Sequence, residues 1–138
     1  MQKKRKTREL AMQVLFLWDT TGASDVDLAR QVVTDGTPDE EIRRDSLQWA
    51  TSAWEQREIA DARVERLAPQ WPTRRQPAVD RSILRLAVWE LTNTPTPPKV
   101  VLDEAIELAK HFSTEQSAAF VNGVLDAVLR ENQTLTKE

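Results

Sequence analysis

Apolar residues along this chain recur at intervals of three and four, in stretches bounded by glycine, proline or capping residues, and β-branched alternation is absent. The pattern predicts an all-α protein, a bundle of about seven helices. The first is expected from about Lys6 to Thr21, with Leu10, Val14, Leu17 and Trp18 on its core face and Gly22 ending it. A second, from about Ser24 to Asp35, sets Val26, Ala29, Val32 and Val33 on one side and stops at Gly36. Thr37-Pro38-Asp39-Glu40 then reads as a capping Thr, a Pro at the first helical position and a capping-box Glu, opening a third helix to about Trp54. Its stripe is Ile42, Trp49, Ala50 and Ala53, with Arg43, Arg44, Asp45 and Gln48 facing water.

A fourth helix over about Arg57–Leu67, carrying Ile59, Val64 and Leu67, is the weakest, because Ala62 and Arg63 add little apolar bulk. Pro69, Pro72 and Pro77 bracket a connector that holds no long helix. From about Ala78 to Asn93, Val79, Ile83, Leu86 and Ala87 form one apolar face and Leu84, Val88 and Leu91 another, so this helix is expected to be surrounded by others. The run TPTPPK over 94–99 ends it. Val101, Leu102, Ala105, Leu108, Ala109 and Phe112 mark an amphipathic sixth helix. Ser113-Thr114-Glu115-Gln116 reads as a capping box opening the seventh, which is expected to reach about Arg130 with a frayed polar tail beyond. Val121, Val124, Leu125 and Val128 face the core there, and Phe120 sits at the stripe's border.

Composition narrows the functional classes. With 138 residues, 40% of them hydrophobic, the chain suits one domain with a real core. The absence of cysteine excludes a disulfide framework or thiolate metal site, and the single His111 cannot supply a multi-histidine site, so neither metal nor cofactor is expected. No apolar signal region or membrane-length run occurs, which predicts a cytoplasmic protein. Charge is polarised. Lys3, Lys4, Arg5, Lys6 and Arg8 precede the first acid, leaving 14 basic against 22 acidic side chains in the remainder. An acidic body with a basic arm at residues 1–8 fits either a phosphate-binding footprint or a solvated tail.

Two segments carry a family resemblance. Val79 to Asp126 reads VDRSILRLAVWELTNTPTPPKVVLDEAIELAKHFSTEQSAAFVNGVLD, and Arg8 to Phe16 reads RELAMQVLF. In this order they resemble the NusB family of bacterial transcription antitermination factors. The resemblance implies an all-helical fold that binds single-stranded boxA RNA of ribosomal RNA transcripts together with NusE, a small-subunit ribosomal protein, and helps RNA polymerase, with other Nus factors, read through terminators. It implies that Lys3, Lys4, Arg5, Lys6 and Arg8 grip phosphates, with Gln13, Gln116, Phe120 and Asn122 beside them, and that Phe16, Asp80 and Glu90 lie at or near the NusE surface. Asn122 also reads as a buried amide and Gly123 as a site of close helix approach; the latter reading is preferred for Gly123. Where the family often carries an acid, this chain has Gln116, which predicts tighter and less discriminating RNA binding. Thr51 and Ser52 replace a common Val-Gly-Val phrase beside the bulky Trp49 and Trp54, so helix three is expected to pack differently.

No catalytic constellation emerges. The acids fall on water-facing helical positions, Ser113 near His111 reads better as a cap than as a nucleophile, and no glycine-rich phosphate loop occurs. Of the five tryptophans, Trp18, Trp49 and Trp89 lie in or beside core stripes. Trp71, in the Pro-bounded loop beside Arg74 and Arg75, either meets RNA or plugs the core. The sequence therefore describes a binder: an RNA-binding transcription factor, or a helical protein-interaction adaptor whose basic arm is incidental, with an enzyme a distant third. It leaves monomer and homodimer both open.

Overall fold

Every residue from Ser82 to Glu90 is buried, so the helix carrying them has no outer face. The computed structural model describes the backbone of residues 2–137 and the side chains of 3–132, and contains seven α-helices among them: α1 Gln2–Thr21, α2 Val26–Gly36, α3 Glu40–Glu55, α4 Arg57–Leu67, α5 Ala78–Asn93, α6 Pro98–Phe112 and α7 Glu115–Lys137. A single 3-10 turn, Thr73–Arg75, lies in the Pro-bounded connector. The central helix is α5, packed against α1, α3, α4, α6 and α7. Its two apolar faces require this arrangement, and Leu84, Leu86 and Ile83 are almost fully excluded from water.

The other stripes point inward largely as their periodicity requires. Leu10, Val14 and Trp18 of α1, Ile42, Ala50 and Ala53 of α3, Val101, Ala105, Leu108 and Ala109 of α6, and Val121, Val124, Leu125 and Val128 of α7 form one core cluster. The bulky α3 tryptophans extend it: Trp49 meets Trp89 at 5.3 Å between ring centroids, and Trp54 meets Trp18 edge-on at 5.7 Å. Gly22 ends α1 in the left-handed region at φ 78°, where its N–H donates to the Trp18 carbonyl at 2.9 Å.

Several expectations are corrected. Helix α1 starts at Gln2 rather than Lys6, so the basic block is helical; Gln2-Lys3-Lys4-Arg5 contains only good helix formers. Asp39, not Thr37, caps α3, its carboxylate accepting from the Glu41 and Ile42 amides at 2.9 and 3.2 Å. Thr37 instead ends α2 and accepts from the Asp39 amide through its hydroxyl. A carboxylate reaches two orphan amides at once, and the helix begins after it. By the same logic Asp25 caps α2, which starts at Val26. At α7 the cap is Thr114, whose hydroxyl accepts from the Ser117 amide at 3.0 Å.

Val26 and Ile59, expected inside, are exposed; the buried residues of α2 are Ala29 and Val33, and those of α4 are Ala60 and Val64. Helix α7 continues past Arg130 to Lys137, and Arg63 and Arg66 hold Glu131, tying that turn to α4. Gly123 is exposed with open space where a Cβ would stand, so it marks no close helix approach. Asn122 is likewise exposed, not a buried amide.

Asp39 yields a stability prediction. The Ile42 amide first, then Lys3, holds its carboxyl below the ordinary aspartate range. A carboxyl depressed on folding stabilises above its unfolded value, near 3.9, and that stabilisation disappears as the pH falls through the folded value. Asp39→Ala should therefore lower the urea midpoint at pH 7, since it removes the cap of α3. The gap from the parent chain should shrink steadily below about pH 4.

Candidate nucleic-acid interface

The first two turns of α1 contain five cations and no acid in the first turn, a poor match to a helix macrodipole that favours anions at that end. Neighbouring helices supply the missing charge. Lys3 reaches Asp39 and Glu41 at the start of α3, at 3.4 and 3.3 Å. The Arg5 guanidinium donates to both carboxylate oxygens of Glu104 on α6, at 3.2 and 3.0 Å. Lys6 pairs with Glu9 one turn along its own helix at 2.6 Å. Lys4 extends over the Trp49 ring at 5.5 Å from its centroid. Lys3, Lys4 and Arg5 are exposed and Lys6 is half-buried, so all four remain within reach of a ligand.

Arg8 differs. It is 5% exposed and donates to Glu90 through Nε at 2.9 and 3.1 Å and through Nη2 at 2.6 Å, with a weaker contact to Glu104 at 3.4 Å. Glu90 is 1% exposed. The structure departs from both expectations for this pair: Arg8 is the internal counterion of Glu90, and both side chains are buried between α1 and α5. Charge along the sequence showed that both residues are ionic, but not that they neutralise each other across α1 and α5.

Asp80 is corrected as well. It lies in the first turn of α5 at 2% exposure, and its Oδ1 accepts no hydrogen bond, so its charge is not displayed to a partner. Phe16 is 37% exposed, as a docking aromatic requires. It shares a stripe of α1 with Lys6, Glu9 and Gln13, which follow the helical repeat and are partly buried.

The candidates on α7 divide between two places. Gln116 and Phe120 are one turn apart, and Phe120 meets Trp71 edge-on at 5.8 Å. Trp71 is 51% exposed, next to the exposed Arg74 and Arg75. It neither plugs the core nor stands alone, since the pair forms an aromatic ledge at the connector. Asn122, roughly on the opposite side of α7, lines a groove with Ile106, Lys110 and Glu115. Ile106 and Lys110 also border the surface depression that includes Arg5, so this groove runs toward the basic end of α1.

Arg85 and Arg81 were not singled out by the sequence. Arg81 pairs with Asp19, and Arg85 with Asp19 at 3.0 Å and Asp61 at 2.7 Å, clipping the far end of α1 to α5 and α4. Their i, i+4 spacing on an otherwise apolar helix was the available signal. Among the described residues, no group of three or more His, Cys, Asp or Glu could hold a metal ion, and no helix is long and apolar enough to cross a membrane.

This geometry has known counterparts. The NusB family model matches residues 5–130. The chain belongs to the NusB family. A transcription antitermination protein NusB from Solibacter usitatus is 44% identical over 133 residues, covering 95% of this chain and 91% of the relative. One from Symbiobacterium thermophilum is 40% identical over 136 residues, with 92% and 89% covered. A crystal structure of the antitermination factors NusB and NusE in complex with double-stranded RNA has a chain that superposes with a TM-score of 0.85 at 27% identity, covering 95% of this chain and 98% of that one. The NusB fold and the all-helical expectation therefore agree.

The buried pair gives a test of roles. Arg8→Ala strands Glu90 without a partner and should destabilise the chain by about 3–5 kcal/mol, read by urea denaturation. The double replacement Arg8→Met with Glu90→Leu should recover most of that loss, because two apolar side chains leave no orphaned charge.

Proposed function

We propose that this chain is a transcription antitermination factor that binds boxA RNA of ribosomal RNA transcripts and acts with NusE in the cytoplasm. The observation that carries this reading is the opening of α1: Lys3, Lys4, Arg5 and Lys6 stand on consecutive positions of a rigid helix, exposed or half-exposed, on a chain otherwise rich in acid. Such cations release counterions from RNA phosphates and position the strand. Bases are specified elsewhere. The Trp71–Phe120 ledge, with Gln116 one turn away, offers an aromatic face for an unpaired base, and Gln13 and Asn122 offer amides for base edges.

Phe16 supplies the NusE contact, since an exposed aromatic on an otherwise polar stripe is a docking anchor. Through NusE the complex joins RNA polymerase and the other Nus factors. The chain acts as a binder without catalysis of its own. Self-association through the Phe120 surface would compete with RNA.

Fluorescence anisotropy at near-physiological salt should show tighter binding to a boxA-like RNA than to a scrambled RNA of equal length, and NusE should strengthen it. Equal, salt-sensitive binding to both RNAs with no NusE effect would instead favour a protein-interaction adaptor with an incidental basic helix. Lys4→Ala should weaken both RNAs alike and reduce the salt slope by about 1. Phe16→Ala should abolish the NusE enhancement while leaving binding to RNA alone intact. Replacing Gln116 with Asp should weaken RNA binding, because it returns a negative charge beside the phosphates.

A further inference from the structure

Arg5 is 69% exposed at its side chain, yet it is held in a two-point fork by a carboxylate that is only 13% exposed. That carboxylate, Glu104, has a second cation at its back: Arg8 Nη1 lies 3.4 Å from the same Oε1 that accepts from Arg5 Nε. Arg8 in turn is fixed on Glu90. The chain of charges therefore runs from a solvent-facing arginine through Glu104 and Arg8 to a fully buried glutamate. It contains two cations and two anions.

The two ends of this chain are unequal. If Arg5 swings away, Glu104 still has Arg8, and no buried charge is orphaned. Lys3 is placed differently, because its partner Asp39 is already the cap of α3, and Lys6 is paired within its own helix. Arg5 can thus be released without stripping a buried charge of its last partner. A carboxylate and a phosphate both present two oxygens to the same guanidinium fork, so a phosphate can take the place of Glu104 without changing the geometry at Arg5. Glu107, one turn farther along α6, lines the same cleft of about 210 Å3 with Arg5, Arg8 and His111, and opposes any phosphate that enters without displacing the pair.

We propose that Glu104 is an internal stand-in for an RNA phosphate: it holds Arg5 in a phosphate-ready fork and must be exchanged for a backbone phosphate when RNA binds. This rests on the RNA-binding reading above. The exchange imposes a handicap equal to the inverse of the fraction of molecules in which Arg5 is free. The handicap is the same for every RNA. It leaves the ratio between boxA and other sequences unchanged and raises the dissociation constants of weak, nonspecific complexes above working concentrations. Glu104 is a positioning residue that sets the affinity threshold through Arg5.

The test is Glu104→Gln, which keeps an oxygen for Arg8 and removes the competing charge. It should tighten a boxA-like RNA and a scrambled RNA by the same factor, about two- to five-fold, the range an exposed ion pair supports. The salt dependence should steepen by up to about one ion, because a released Glu104 no longer gathers a cation. In an Arg5→Ala background the same replacement should gain nothing. An equal gain in that background would overturn the exchange in favour of general repulsion, and no gain in the parent chain would overturn it outright.

A second readout is the Nε–Hε NMR signal of Arg5 during titration with inorganic tripolyphosphate. It should move in the parent chain and reach its midpoint at lower concentration in Glu104→Gln. An unmoved signal overturns the proposal. Absence of any RNA binding by the parent chain would overturn the functional reading and this exchange together, whereas RNA binding without a Glu104→Gln effect would overturn the exchange alone.

Discussion

The ion pair between Arg8 and Glu90 sets the terms on which α1 joins the bundle. Both partners are nearly excluded from water, and they are joined by three hydrogen bonds of 2.6–3.1 Å. Such a pair adds little net stability over apolar residues of similar size, but it strongly penalises any packing that separates its members. Apolar stripes alone would let α1 slide along α5 by a turn at modest cost. Arg8 on Glu90 at one end and Asp19 on Arg81 and Arg85 at the other permit only one register. The two clips are 11 residues apart on α1, about 16 Å along its axis.

That register determines which cations are left for a ligand. With Arg8 turned inward, Lys3 and Arg5 before it reach the acidic start of α3 and Glu104 in the middle of α6. The protein answers its own basic helix with carboxylates that range from the largely buried Glu104 to the exposed Glu41, while the cations they hold face solvent. Exposed pairs are weak and screened by salt, so they order the side chains without holding them against phosphate. A single helix thereby contains a buried structural arginine, Arg8, and a solvent-facing one, Arg5, less than one turn apart.

The helices were legible because their apolar repeats are long and strongly periodic, and α5 was recognisable as central from its two apolar faces alone. The caps were harder. Thr37-Pro38-Asp39 offers two oxygens at adjacent registers, and only the three-dimensional path of the chain selects the Asp. Burial of a small residue also escaped: Ala60 joins the expected Val64 on the inward face of α4, while Ile59, the larger residue, faces water. The site was legible by residue type and less so by role. Arg8, Glu90 and Asp80 are ionic in sequence, and a linear reading assigns ionic residues to the surface unless it knows which opposite charge faces them. Glu104 was counted with the solvent-facing acids for the same reason. The aromatic ledge joins residues 49 positions apart, Trp71 and Phe120, so no local pattern announced it.

The outer stripe of α1 bears on how RNA and a protein partner would act together. Lys6, Glu9, Gln13 and Phe16 succeed one another along one face, and Lys6 and Phe16 are about 15 Å apart on the axis. The helix beneath them is anchored at both ends by ion pairs and filled between by Leu10, Val14 and Leu15. Coupling through the rod itself would require a second arrangement of it. A strand at Lys6 and a protein at Phe16 would instead cooperate directly, by meeting above Gln13. A ligand that bridges 15 Å gains contacts with both surfaces at once, and the half-exposed Gln13 between them, able to donate and accept, is placed to hydrogen-bond either one.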